Sequence, residues 1–284
     1  MKTPRYSICL LFTLTLTAFF QASTLFSQTA PLHKKGLCAH RGDQGVAPES
    51  TIPAFVAAVK SGAQQVEFDV QKTSDGKLVV IHDLWVDRTT TGKGFVKDLT
   101  FDEIRSLDAG IKFDPSFAGT KVPTLEETLD CFPKNVILNI HLKTGAGVAA
   151  ETTKVVVDKG RVLQSIISFE TKEELDQARA VCPTIKVNYV TGEAGDKLKA
   201  VIQKAIEWKC DFIQFTNYDK EDVAVLHNAG VSINFFGTDD PEKIKSLLQD
   251  GIDFPLVDRF SEDWAKGDGF KGLGVELNNP EWEK

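Results

Sequence analysis

Short apolar runs rich in Val, Ile, Leu and Phe recur along this chain, separated by longer stretches in which apolar residues return every three or four positions. The first pattern reads as a buried β-strand and the second as an amphipathic helix. Strands are predicted over residues 37–40, 65–70, 136–143, 165–168, 186–190, 211–215, 231–236 and 254–257. Helices are predicted over 51–60, 125–131, 148–158, 172–180, 196–208, 220–228 and 242–249. Runs such as VILNI and SIISF lack polar alternation, as strands covered on both faces do. A strand-helix repeat of this kind builds a parallel sheet, and eight strands close it into an α/β fold of the (β/α)8 TIM-barrel type. An open doubly wound sheet is the competing architecture.

One segment breaks the repeat. Only seven residues, QKTSDGK, separate Val70 from Leu78. That is too few for a parallel crossover, so LVVIHD must fold back on VEFDV as a hairpin turning at Asp75-Gly76. The pairing sets Asp69 roughly opposite Ile81 or His82 and leaves residues 84–123 as an excursion inserted after the second strand.

Composition limits the possibilities. With 42% hydrophobic and 26% charged residues, the 284-residue chain has the make-up of an ordinary globular domain. No low-complexity linker divides it, so residues 31–284 are expected to form one domain. At the start, Lys2 and Arg5 precede an apolar run from Ile8 to Phe20 broken by Thr13, Thr15 and Thr17. The run is short for a membrane span of roughly 20 residues. It reads as a signal peptide over residues 1–30, hence a secreted or periplasmic protein with no stable membrane span after cleavage. Lys+Arg number 33 and Asp+Glu 40; loss of Lys2 and Arg5 leaves 31 against 40, a net charge of −9. A surface that acidic repels a polyphosphate backbone, which argues against nucleic acid as a partner. Cys38, Cys131, Cys182 and Cys210 lack metal-type spacing, and free thiols are the plainer reading.

The candidate chemistry lies at strand ends, where barrels of this class carry their sites. The first strand ends in His40-Arg41-Gly42, the second in Glu67-x-Asp69, the hairpin returns to His82-Asp83, and the third barrel strand ends in His141-x-Lys143. Residues two apart on a strand share a face, so Glu67 lies beside Asp69 and His141 beside Lys143. Two carboxylates and an imidazole suit one divalent cation, and burying the carboxylates without one is costly. Arg41 offers a planar fork and Lys143 a point charge to a phosphoryl group, although Arg41 could equally pair with Glu49. His40 and His82 remain as an acid and base with intrinsic pKa values near neutrality. His33 and His227 read as structural.

The runs AHRGDQGVAPEST, GAQQVEFDVQKTSDGKLVVIHD, DRTTTGKG, LDAG and VPTLEETL, in that order over about a hundred residues, resemble the glycerophosphodiester phosphodiesterases. The resemblance implies a barrel with a hairpin-plus-loop insertion after its second strand. It implies His40 and His82 as the catalytic pair, Glu67 and Asp69 as metal ligands, and Arg41 and Lys143 as phosphate contacts. The substrate would be a small-molecule phosphodiester, cleaved to glycerol phosphate and an alcohol. Where that family usually reads Glu-x-Lys, this chain has His141-Leu142-Lys143. The third ligand would then be an imidazole, which favours transition ions and leaves the metal open among Ca, Mg, Mn and Zn. The C-terminal third lacks the family's usual tryptophan; Phe235 and Phe236 could face substrate or belong to the core. A related lyase or phosphodiesterase acting on another lipid or sugar phosphodiester, and an inactive binding protein, are the alternative readings.

Overall fold

The computed structural model describes residues 32–143 and 147–260, and the predicted signal peptide lies outside them. Eight parallel strands close a barrel: β1 (Cys38–His40), β2 (Gln65–Lys72), β4 (Ile137–Leu142), β5 (Ser165–Phe169), β6 (Lys186–Val190), β7 (Phe212–Phe215), β8 (Ser232–Phe236) and β9 (Phe254–Val257). Closure comes from β1, which pairs with β2 on one side and β9 on the other. The open sheet is thereby excluded. Every predicted barrel strand is present, within two residues at its ends.

Helices α1 (Ile52–Lys60), α3 (Leu125–Asp130), α4 (Ala149–Asp158), α5 (Lys172–Val181), α6 (Asp196–Glu207), α7 (Lys220–Asn228) and α8 (Pro241–Asp250) connect the barrel strands. Local chemistry starts several of them. Thr124 with Glu127, and Thr171 with Glu174, form reciprocal capping boxes that satisfy first-turn N–H groups. A further helix, α2 (Phe101–Ser106), falls inside the excursion where none was predicted; Thr100 and Glu103 cap it the same way.

The alternation of side chains along each strand divides two environments. Ala39, Leu138, Ile140, Ile167, Ile213 and Val257 join the large core shared with the helices. The residues of opposite parity, Cys38, Ile137, Ile166, Phe212, Phe254 and Leu256, form a separate cluster inside the barrel. On β2, Phe68 points outward into a ring cluster with Phe55 and Phe132 at centroid distances of 5.4–6.0 Å. Glu67 and Asp69 on either side of it therefore face inward.

The hairpin forms as expected. β3 (Leu78–Val80) pairs antiparallel with Val70–Lys72, and the Ile81 amide donates to the Asp69 carbonyl at 3.1 Å. Its turn is a three-residue loop closed between Thr73 and Lys77, with Gly76 at φ +87° where a side chain would be strained. β3 lies on the same flank of β2 as β1, beyond the point where that short strand stops. The excursion has its own small core of Val79, Ile81, Val86, Val96, Ile104, Ala109 and Val122. Cys38, Cys131, Cys182 and Cys210 are free thiols. Among the described residues, no helix is long and apolar enough to cross a membrane.

Candidate active site

Parallel strands place their C-terminal ends on one rim, and register decides which side chains meet there. Glu67 pairs with His40 on β1 and with Asn139 on β4, and Asp69 pairs with His141. The adjacent ring and carboxylates follow: ligand atoms of Glu67, Asp69 and His141 all lie within 4.8 Å of one another. His141 Nδ1 is 3.2 Å from Asp69 Oδ1 and 3.7 Å from Glu67 Oε1. Lys143 Nζ stands 2.8 Å from Asp69 Oδ1 and Arg41 Nε 3.8 Å from Asp69 Oδ2. Both Asp69 oxygens are buried, yet neither is met by a well-directed hydrogen bond. Two buried carboxylates and an imidazole whose ligand atoms converge in this way are a donor set that fits a divalent ion.

Burial, reinforced by the neighbouring Asp69 charge, raises the Glu67 carboxyl above its ordinary range despite His40, His141 and Arg41. Burial acts on Asp69 in the same direction, but contact with His141 and the Lys143 charge override it and hold Asp69 far below the usual carboxylate range. Burial alone would lower His141; its contacts with Asp69 and Glu170 instead lift it to about 9. A protonated imidazole thus stands where the donor set would hold a cation.

The turn after β1 is tight. Arg41 and Gly42 adopt φ of +58° and +83° in succession, and the Arg41 amide donates to the Glu67 carbonyl at 3.0 Å. A side chain at Gly42 would lie 2.7 Å from the Ala54 carbonyl carbon, so this position requires glycine. Positive φ at Arg41 is strain of the kind that persists at functional sites. The guanidinium pairs with Glu49 at 3.1 Å, so the alternative foreseen for Arg41 is realised while Arg41 also faces the carboxylate pair.

Each candidate acid/base histidine has a carboxylate on Nδ1. His40 Nδ1 is 2.5 Å from Asp258 Oδ1, and Gln44 Nε2 donates to that same oxygen at 2.8 Å. The other ring nitrogen of His40 faces Glu67 at 3.9 Å. His82 Nδ1 is 2.7 Å from Asp83 Oδ1. Burial lowers the His82 pKa, against the Asp69 charge and with help from Lys143, so its neutral form can accept a proton near pH 7. Arg88 grips Asp83 through Nε at 2.7 Å and an Nη at 2.9 Å, and Glu49 at 2.6 and 2.8 Å. One guanidinium thus ties the partner of His82 to the partner of Arg41.

All seven predicted site residues, His40, Arg41, Glu67, Asp69, His82, His141 and Lys143, sit at strand ends on this rim or on the hairpin beside it. Sequence reasoning missed the residues that orient them. Arg88 stood in the quoted run DRTTTGKG without a role, and Asp258 closes the last strand as its polar end. Phe235 and Phe236 divide: Phe235 is buried in the outer core, while the Phe236 ring packs 4.6 Å from that of His40. His227 is bonded to Asp253 at 3.0 Å, and both line a cavity of about 540 Å³ with His33 at the opposite end of the barrel.

The Glycerophosphoryl diester phosphodiesterase family model matches residues 40–262, a stretch that contains every residue of this rim. The chain is 44% identical over 154 residues to a glycerophosphodiester phosphodiesterase of Caldanaerobacter subterraneus subsp. tengcongensis, covering 52% of this chain and 63% of that protein. It is 35% identical over 227 residues to the YhdW protein of Bacillus subtilis strain 168, covering 78% of this chain and 93% of that one. A solved structure of an Oleispira antarctica phosphodiesterase in complex with the product sn-glycerol-3-phosphate superposes with a TM-score of 0.72 at 26% identity, over 81% of this chain and 96% of that chain.

Proposed function

Because this chain belongs to the glycerophosphoryl diester phosphodiesterase family, a family of phosphoric diester hydrolases, we propose that it hydrolyses glycerophosphodiesters to glycerol phosphate and an alcohol, with one divalent metal ion and outside the cytoplasm. The observation that carries this reading is the convergence of a three-residue cation site, two phosphate-type cations and two carboxylate-oriented histidines on one rim. Export is supported by the positively charged start and apolar run of residues 1–30. The substrate class is supported by the relatives named above.

Glu67, Asp69 and His141 would hold the ion, which when bound supplies Lewis-acid polarisation of a phosphate oxygen and of a ligated hydroxyl. Arg41 and Lys143 bind the phosphate oxygens and offset the charge that grows on them in the transition state. Asp258 and Asp83 occupy the Nδ1 side of His40 and His82, which leaves proton transfer to the Nε2 side of each ring, on His40 the side that faces Glu67. One imidazole takes the proton from the attacking oxygen and the other gives a proton to the departing alcohol. Phe236 packs against the His40 ring and holds its plane.

The test is a metal-resolved assay. The protein is stripped with chelator, single divalent ions are restored, and products from glycerophosphocholine and glycerophosphoethanolamine are identified. Glycerol phosphate released only with an ion present is the expected result. A cyclic phosphate end product would assign a lyase, and silence with every ion in folded protein would point to another phosphodiester substrate or to a binding role. Export is tested separately by N-terminal sequencing of protein from the extracytoplasmic fraction, where a start near residue 31 is expected.

A further inference from the structure

His141 presents its two ring nitrogens to different partners. Nδ1 faces Asp69 at 3.2 Å and Glu67 at 3.7 Å, on the side where an ion would sit. Nε2 points away and lies 3.4 Å from Glu170 Oε1, within ion-pair reach. Strand register brings Glu170 there: His141 on β4 pairs with Ser168 on β5, and Glu170 follows two residues later, just beyond the strand end. Its backbone is fixed, because the amides of Glu170 and Thr171 both donate to Glu174 Oε2 at the start of α5. The Glu170 carboxylate is partly exposed, whereas the ring it addresses is nearly buried.

We propose that Glu170 is the outer-sphere partner of His141, accepting its Nε2–H so that Nδ1 is the ligating atom, and that this pair tunes the site for a borderline transition ion such as Mn2+ or Zn2+ over Mg2+ or Ca2+. The proposal rests on the metal reading above. A neutral nitrogen donor beside two carboxylates suits ions that accept imidazole, whereas Mg2+ and Ca2+ require oxygen. A ligating imidazole whose second nitrogen has no acceptor is poorly oriented and less basic, and carboxylate partners of this kind are worth about 10–100-fold in metal affinity. Asp69, already committed to the ion on the Nδ1 side, cannot serve the far nitrogen.

The test measures metal affinity without turnover. Chelator-stripped protein is titrated with Mn2+, Zn2+, Mg2+ and Ca2+ in competition with a chromophoric chelator, for the wild type, Glu170→Ala, His141→Glu and the double variant. Glu170→Ala should weaken Mn2+ and Zn2+ by about tenfold or more and change Ca2+ by less than threefold. His141→Glu should shift the preference toward Ca2+ and Mg2+, and in that background Glu170→Ala should have no further effect on Mn2+. The visible spectrum of Co2+-loaded protein should change in Glu170→Ala, as expected if the imidazole reorients. Equal weakening of all four ions, with or without His141, would reduce Glu170 to a surface charge and overturn the assignment, as would no change at all. A wild type that binds none of the ions would overturn the metal reading itself.

Discussion

A metal ion held as proposed by Glu67, Asp69 and His141 would have to displace the proton on His141 Nδ1. Since contacts with Asp69 and Glu170 lift that imidazole to about 9, apparent affinity is penalised at every pH below it. The factor is about tenfold per pH unit, so affinity should rise on the order of a hundredfold between pH 7 and pH 9 and level off above. Stability of the metal-free protein runs the other way. A histidine raised from 6.5 to about 9 on folding contributes fully below pH 6.5, and that contribution disappears as pH climbs through 9. The shift corresponds to roughly 3 kcal/mol at most. The assay is Mn2+ binding by calorimetry at half-unit steps from pH 7 to 9, in two buffers of different ionisation enthalpy to count released protons. Denaturant melts of chelated protein over the same range accompany it. His141→Glu should flatten both profiles, since a carboxylate has no proton left to lose in that window. An affinity constant within twofold across the range, with no proton released, would refute the reasoning.

Arg88→Ala removes four hydrogen bonds at once and frees both Asp83 and Glu49; kcat/KM should fall about ten- to a hundredfold through misplacement of His82 and Arg41. The melting temperature should move little, because the pairs are exposed at Arg88, and unaltered kinetics would remove its positioning role. Phe68→Ala opens a cavity in the Phe55–Phe68–Phe132 cluster and should cost about 3–5 kcal/mol in chemical denaturation. Gly42→Ala places a side chain against the Ala54 backbone at φ +83°. It should cost about 1–3 kcal/mol and lower activity, and a wild-type melt together with wild-type turnover would show that the turn tolerates it.

The architecture was legible because its determinants are local and repetitive. Eight apolar runs alternating with amphipathic stretches permit a parallel sheet, and the seven residues between Val70 and Leu78 are too short for anything but a hairpin. The polar side chains at the strand ends were legible for the same reason, since β-strand parity fixes that Glu67 faces with Asp69 and His141 with Lys143. The Leu84–Pro123 excursion was harder. Its helix α2 lies inside the insertion, outside the strand-helix alternation that pointed to the others, although the capping pair Thr100 and Glu103 marks its start.

Sequence by itself therefore determined the number and order of strands and the identities of the seven rim residues, because spacing along one chain sets both. Tertiary structure alone decided which carboxylate each imidazole addresses. Asp258 reaches His40 across 218 positions of sequence only because β9 closes the barrel against β1. Arg88 clamps Asp83 to Glu49 only because the excursion folds back over the first turn. Glu170 meets His141 through the register of β4 with β5. Contacts of this kind depend on barrel closure and inter-strand register, which no pattern within a single segment encodes.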